Sequence, residues 1–308
     1  MLYIIANGEY ELTKRLLSEL DSDRIRVIWT EEFQQYKNKF FSHLTKLLFL
    51  FNLPFKYNFS KDLRNQLSQI TDNDTVLAWD IVSIPLLLSL RSLCKTSKLN
   101  LWLWNTFSRS KIKIYFLKKI KKWFNVYTFD ENDAKEFNIK LKNQVCYDIE
   151  KYSKNDVQIL NSIYFVGVDK GRYKGLKELY DKLTEKGFKC DFNLVKDNTS
   201  VNDDSFYSRG LSFIENINHI YLSRVVLDFT KDNQTGLTMR ALEAMFSKKK
   251  LITNNRNIRK VKFYNRENIF VLGEDSFEHI EDFIDSPFKN INFDFSEFRI
   301  SSWIKEFL

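Results

Sequence analysis

The chain has 308 residues, 44% of them hydrophobic and 16% aromatic, with a formal net charge of +8. This is too apolar for a disordered chain and long enough for two α/β domains of ordinary size. Three dispersed cysteines (Cys94, Cys146, Cys190) and three histidines (His43, His219, His279) show no CxxC, HExxH or HxH spacing, which argues against a zinc site and against a disulfide-stapled secreted domain.

Taken in chain order, the first half alternates short apolar runs with helical patterns. The opening MLYIIANGEYEL lacks the basic start and long apolar stretch of a signal peptide, and no run of 18 apolar residues occurs anywhere. A cytoplasmic protein without a spanning helix is predicted. Leu2–Ala6 reads as a strand, followed by Gly8 and a helix over 11–20, and Ile25–Trp29 as a second strand. No acid lies between Glu32 and Asp62, where Lys37, Lys39, Lys46 and Lys56 alternate with phenylalanines. Within this stretch 44–53 reads as an interfacial or a buried helix. Strands over Thr75–Trp79 and 101–104 follow, with an apolar helix at Ile84–Leu93 between them. The segment 108–124 holds seven basic residues and no acid. As a helix over 111–124 it places Ile112, Phe116, Ile120 and Trp123 on one side and Lys111, Lys118 and Lys122 on another. That pattern suits an anionic membrane surface, with Lys119 and Lys121 adding charge, or else a core helix with a solvated lysine face. A strand over 126–129 closes the first half.

After a polar stretch at 147–161 the pattern restarts. Strands are predicted over 162–168, Cys190–Val195, 225–229, Lys250–Thr253 and 268–272, with helices over 173–186, 237–246 and 295–308. Gly187 is a plausible C-terminal cap. Buried strands alternating with helices predict parallel sheets covered on both faces. The expected fold is α/β, with two Rossmann-like doubly wound domains facing a central cleft and a C-terminal helix. The first domain is expected over 1–155 and the second over 156–308.

No GxGxxG, GxxxxGK[ST] or GxSxG motif occurs, which removes the usual dinucleotide, P-loop and hydrolase readings. Two other stretches carry chemistry. In FVGVDKGRYKG a strand runs into Gly167, Gly171 and Gly175 with Lys170, Arg172 and Lys174. Doubly wound sheets place ligands at the carboxyl ends of their strands, where cations would neutralise a diphosphate leaving group. The plain alternative is a turn with solvated cations. In the second stretch a polar loop with Gln234, Thr235 and Gly236 precedes a helix whose N-terminus suits phosphate. Arg240 and Glu243 share a face of that helix. The carboxylate there would accept both hydroxyls of a ribose, or the pair is an exposed salt bridge worth little.

FVGVDKGR, SRVVLDF, QTGLTMRALEA, KKKLITNN and FYNRENIF, in this order, together resemble GT-B glycosyltransferases of bacterial surface-polysaccharide and lipopolysaccharide biosynthesis, the CgeB-like group. TFDENDAKEF at 128–137 fits the same group, and the resemblance spans 128–272. It implies a sugar nucleotide bound mainly by the second domain. Glu243 would hold donor hydroxyls, Arg172 and Lys174 would face the diphosphate, and Gln234, Thr235 and Gly236 would line the pocket with Gly167 and Arg240. The acceptor would be a glycan or a lipid-linked saccharide at the inner face of the membrane, and no cofactor or metal is expected. The sequence departs from the family in two places. Thr235 stands eight residues before Glu243, where many retaining enzymes carry a second glutamate, and Val168 stands where an arginine is usual. An inverting enzyme would need a general base, for which Asp80, directly after a strand, leads; Glu9 and Glu31 occupy similar strand ends. Gly8 and Glu9 would line the acceptor side. A basic nucleic-acid-binding protein and a sugar-nucleotide epimerase are the alternative readings, although no RNP, KH or helix-turn-helix pattern supports the former.

Overall fold

A computed structural model describes the chain except residues 19, 21, 31–46, 49–60, 108–113, 154–157, 201–204 and 232–233. Glu31, the lysines and phenylalanines of 37–56, most of the helix expected over 44–53, and Lys111 and Ile112 therefore lie outside the described residues. The chain divides into two compact units, Met1–Asn143 with Ile300–Leu308, and Gln144–Arg299.

The first unit is a parallel six-stranded sheet in the order β2-β1-β3-β4-β5-β6. Its strands are β1 (Leu2–Ala6), β2 (Ile25–Trp29), β3 (Thr75–Trp79), β4 (Leu99–Leu103), β5 (Phe124–Thr128) and the short β6 (Lys140–Leu141). Every residue of β1 and β4 is buried, as a parallel sheet covered on both faces requires. The helices are α1 (Glu11–Ser18), α2 (Lys61–Ser68), α3 (Ile84–Leu93), α4 (Ile114–Ile120) and α5 (Glu131–Phe137). Pro85 lies in the first turn of α3, where its missing N–H costs nothing. Asp130 caps α5 by accepting from the N–H groups of Asn132 and Asp133.

The second unit is a parallel five-stranded sheet in the order β11-β10-β9-β7-β8. It comprises β7 (Asn161–Val168), β8 (Cys190–Val195), β9 (Ser223–Asp228), β10 (Lys250–Thr253) and β11 (Ile269–Val271), with α6 (Tyr173–Glu185), α7 (Phe213–Tyr221), α8 (Met239–Phe246) and α9 (Ile280–Asp285). In each sheet the order reverses beside the first strand, between β1 and β3 in one and between β7 and β9 in the other. Ligands in doubly wound sheets bind outside the carboxyl ends at that reversal.

Several boundaries differ from expectation. Residues 144–155 were expected in the first domain and 300–308 in the second. Cys146 N–H donates to Phe298 O at 2.8 Å and Tyr147 bonds Glu243, which ties 144–152 to the second unit. Trp303 packs on Trp79 and Trp102 with ring centroids 5.4 and 4.9 Å apart, which groups 300–308 with the first. The single closing helix expected over 295–308 is instead a 3-10 turn at Phe295–Phe298, α10 (Ile300–Trp303) and a second 3-10 turn at Ile304–Phe307, because Arg299 is extended. Helix α4 ends at Ile120, since Phe124 already pairs with Leu99 in the sheet. Its side chains Phe116 and Ile120 are buried in the core, as the core-helix alternative has them and the interfacial one does not.

Candidate functional site

The second sheet's reversal point is organised by Arg172. Its guanidinium donates from Nη2 to Val168 O, at the end of β7, and from Nη1 to Phe229 O, just past β9. Nε donates to Asp169 O at 3.2 Å. One side chain thus joins the two strand ends that flank the reversal. The glycines around it serve this packing. A Cβ on Gly167 would lie 2.7 Å from Arg172 Nη2, and one on Gly175 would lie 2.9 Å from the Phe229 ring. Gly171 has φ +79°, a conformation that favours glycine. Lys174 takes neither role: its side chain is 90% exposed and 4.0 Å from Glu178 along the helix surface.

Asp169, only 1% exposed, anchors the same turn. Oδ1 accepts from Tyr173 N–H at 2.9 Å, and Oδ2 accepts from the Ser200 and Tyr207 hydroxyls, each at 2.7 Å. These bonds outweigh the cost of burial and hold its carboxyl below the usual range.

The loop before α8 is pinned from the end of β10. Asn254 Oδ1 accepts from Thr230 N–H at 2.7 Å, and Asn254 Nδ2 donates back to Thr230 O at 2.9 Å. Asn255 Nδ2 donates to Gly236 O at 3.1 Å and Thr235 O at 3.4 Å. Gly236 is buried, while Gln234 and Thr235 are half-buried. Thr238 caps α8, its hydroxyl accepting from Ala241 N–H at 3.1 Å. Asp228 lies beneath, its carboxyl raised by burial against the Thr238 hydroxyl and the Arg240 charge.

Arg240 and Glu243 do not form the exposed pair that was one expectation. Glu243 is 3% exposed. Its Oε2 accepts from Arg240 Nη1 at 2.5 Å, and its Oε1 from the Tyr147 hydroxyl at 2.5 Å and Asn216 Nδ2 at 3.5 Å. Asn216 Oδ1 in turn accepts from Arg240 at 2.9 Å and from the Tyr164 hydroxyl at 2.8 Å. Burial and the neighbouring Glu243 carboxylate push the Tyr147 hydroxyl well above its usual pKa.

In the first unit, Gly8 and Glu9 follow β1 and Asp80 follows β3, so all three stand at that sheet's reversal point. Gly8 is buried and Glu9 is exposed. Asp80 has φ +49°, an αL backbone seen in few non-glycine residues. Its Oδ1 accepts from Trp104 N–H at 3.0 Å and its Oδ2 from Asn105 Nδ2 at 3.1 Å. Burial nevertheless raises its pKa to about 6.

Asp169, Tyr147, Asn216, Asn254 and Asn255 were not singled out by the sequence. The last two stand in the NN pair directly after a strand, and the Ser212–Glu215 capping box announces α7 and thereby Asn216.

No protein-family model matches the chain, and no curated protein matches it. Among solved structures it is similar to HepE of Anabaena in complex with UDP-glucose, with TM-score 0.50 and 10% identity over 92% of this chain and 88% of that one. Two others have TM-score 0.48 and 12% identity over 92% of this chain. They are the N-terminal domain of Candida albicans trehalose-6-phosphate phosphatase, covered to 83%, and an alpha-glucosyltransferase in complex with UDP and a 13-mer DNA, covered to 90%. At such identity the likeness to HepE concerns the fold, which is an α/β architecture of two Rossmann-like units.

Proposed function

We propose that the chain is a GT-B glycosyltransferase, moving a sugar from a nucleotide-sugar donor to a glycan or lipid-linked acceptor in bacterial polysaccharide assembly. The observation that carries this reading is Asp80, a carboxylate with pKa about 6 beyond a reversal-point strand. Such a group is largely ionised at neutral pH and still basic enough to take a hydroxyl proton. Its αL backbone, a conformation that aspartate tolerates better than most non-glycine residues, turns the chain directly after that strand.

In the proposed reaction the acceptor oxygen bonds the donor's anomeric carbon as the bond from that carbon to the diphosphate oxygen breaks. The acceptor's proton passes to Asp80, and the diphosphate leaves with its charge. Thr235 in place of a second glutamate favours this inverting displacement. The turn with Gly167 and Arg172 and the loop Gln234, Thr235 and Gly236 form the donor's phosphate and sugar contacts in this reading, with Lys174 at its outer edge. Arg240 and Glu243 brace α8 beneath the donor. Gly8 and Glu9 lie on the acceptor side. No resident metal is invoked. HepE was solved with UDP-glucose, which makes a uridine donor the first to try.

Among the described residues no helix is long and apolar enough to cross a membrane. The lipid-facing patch is assigned instead to α4 and the turn after it, where Ile114 (52% exposed) and Tyr115 (40%) accompany exposed Lys118 and Lys122. Lys119 is half-buried, and Lys121 donates to Phe137 O at 2.7 Å, so these two contribute less to that patch.

The test combines a thermal-shift screen against UDP, GDP, TDP and CMP sugars with a transfer assay on a lipid-linked acceptor. One diphosphate should raise the melting temperature, and Asp80→Asn should lose transfer about a hundredfold or more while still binding it. If no nucleotide shifts the melting temperature, or if Asp80→Asn transfers at the wild-type rate, the reading fails.

A further inference from the structure

We propose that a pocket beside the edge strand β11 of the second unit binds an anionic saccharide. The pocket has a volume of about 640 Å³, inside the roughly 300–1,000 Å³ range of small-molecule sites. None of its lining residues belongs to the candidate site described above.

The walls are held in place by the fold. On one side is the segment that follows the 3-10 turn at Arg256–Lys260; on the other is the 290–293 segment. Asn268 secures the latter, donating from Nδ2 to Lys289 O at 2.7 Å and accepting from Lys289 N–H at 2.8 Å. Phe263, fully buried, packs under the pocket against Phe293 with ring centroids 5.6 Å apart, and Phe293 packs on Phe295 at 4.9 Å.

The charge on these walls is unbalanced. Arg259 is neutralised: it reaches Glu274 and Asp275 at 2.6 Å each and donates to the Tyr264 hydroxyl at 2.8 Å. Lys262 and Arg266 have no carboxylate within ion-pair distance among the described residues. Both line the pocket beside the mutually paired Arg259 and Asp275, so its lining holds three cations and one acid. Asn290 and Asn292 supply amides that donate and accept, and Tyr264 and Phe293 supply aromatic surface.

These three chemistries together suit an anionic saccharide. An inorganic anion would satisfy the cations and leave the amides and rings unused. A neutral sugar would use the amides and rings and leave both cations without a counter-charge. A saccharide with a carboxylate or phosphate matches all three, since its hydroxyls suit amides, its C–H face suits a ring and its anion suits Lys and Arg. The proposal is independent of glycosyl transfer.

Isothermal titration of the full chain with tetragalacturonic acid, maltotetraose and inorganic phosphate tests it. Tetragalacturonate should bind about tenfold or more tightly than either other probe. Lys262→Ala/Arg266→Ala should weaken that binding about tenfold or more while leaving the thermal shift with UDP unchanged. Asn290→Ala/Asn292→Ala, on exposed positions, should weaken it less. Three results would overturn the proposal: no binding of tetragalacturonate, equal binding of maltotetraose or phosphate, or undiminished binding by the Lys262→Ala/Arg266→Ala protein.

Discussion

Gly167 and Arg172 share one corner of the second sheet: a Cβ on the glycine would sit 2.7 Å from the guanidinium that joins the ends of β7 and β9. The glycine is thus explained by an arginine five residues later.

Gly167→Ala and Arg172→Ala should therefore have the same effect. Each should lower unfolding free energy by about 2 kcal/mol and weaken binding of UDP, because each unfastens the strand ends. The double variant should be little worse than the poorer single one. Urea denaturation of the three proteins decides, and simple additivity would show that the two residues act separately.

Tyr147 and Glu243 allow a graded test of the buried network. Tyr147→Phe removes one charge-assisted hydrogen bond and should cost about 1–2 kcal/mol. Glu243→Ala leaves Arg240 without its carboxylate and should cost about 3–5 kcal/mol. A loss below about 1 kcal/mol for Glu243→Ala, measured the same way, would mean that the pair contributes nothing to holding α8.

Asp80 titrates in a useful range. Transfer should rise with pH through an acidic limb near 6, and Asp80→Asn should remove that limb along with the activity. The stability effect has the opposite benefit. Because the folded carboxyl has its pKa raised from 3.8 to about 6, the folded chain holds this proton more tightly than the unfolded chain. Stability is therefore lost as pH rises from 3.8 to 6, and the deficit persists above that. Asp80→Asn, whose side chain also tolerates positive φ, should be more stable than wild type at pH 8 by on the order of 2 kcal/mol, with the gap closing toward pH 4.

The thiols should be silent in the folded protein. Burial pushes Cys94 and Cys190 up to about 12, and burial with the Glu243 carboxylate raises Cys146 well above 9. Iodoacetamide at pH 8 should label none of the three in native protein and all three in urea. The unfolded thiols ionise from about pH 9 while the folded ones stay protonated, so this contribution to stability falls as pH rises above 9.

Co-sedimentation with phosphatidylglycerol vesicles examines the α4 patch. Ile114→Glu/Tyr115→Glu should release the protein into the supernatant, as should Lys118→Glu/Lys122→Glu, and phosphatidylcholine vesicles should bind weakly. Retention of both variants on anionic vesicles would place any membrane contact elsewhere.

Much of the framework was legible in local patterning. Leu2–Ala6, Ile25–Trp29, Thr75–Trp79, Ile84–Leu93, Cys190–Val195 and Lys250–Thr253 have the bounds expected from their apolar runs. The helices that were not anticipated, α2, α5, α7 and α9, are nine residues or shorter, too short for a clear apolar period, and α5 and α7 were signalled only by their N-terminal caps. The site was less legible. Lys174 and Arg172 are two residues apart in a basic turn, yet one is solvated and the other is fastened to backbone carbonyls.

By itself the sequence determined where apolar runs would become strands, that these would be parallel and that they would fall into two Rossmann-like sets. Those properties follow from residues close together in the chain, whose periodicity and burial tendency are local. Tertiary structure alone decided which charges would be spent inside. Arg172 meets Phe229 across 57 residues, and Tyr147 meets Glu243 across 96. Burial raises the Asp80 carboxyl while hydrogen bonds from Trp104 and Asn105, more than twenty residues away, pull it down, so a carboxylate's pKa and a guanidinium's partners are set by distant contacts.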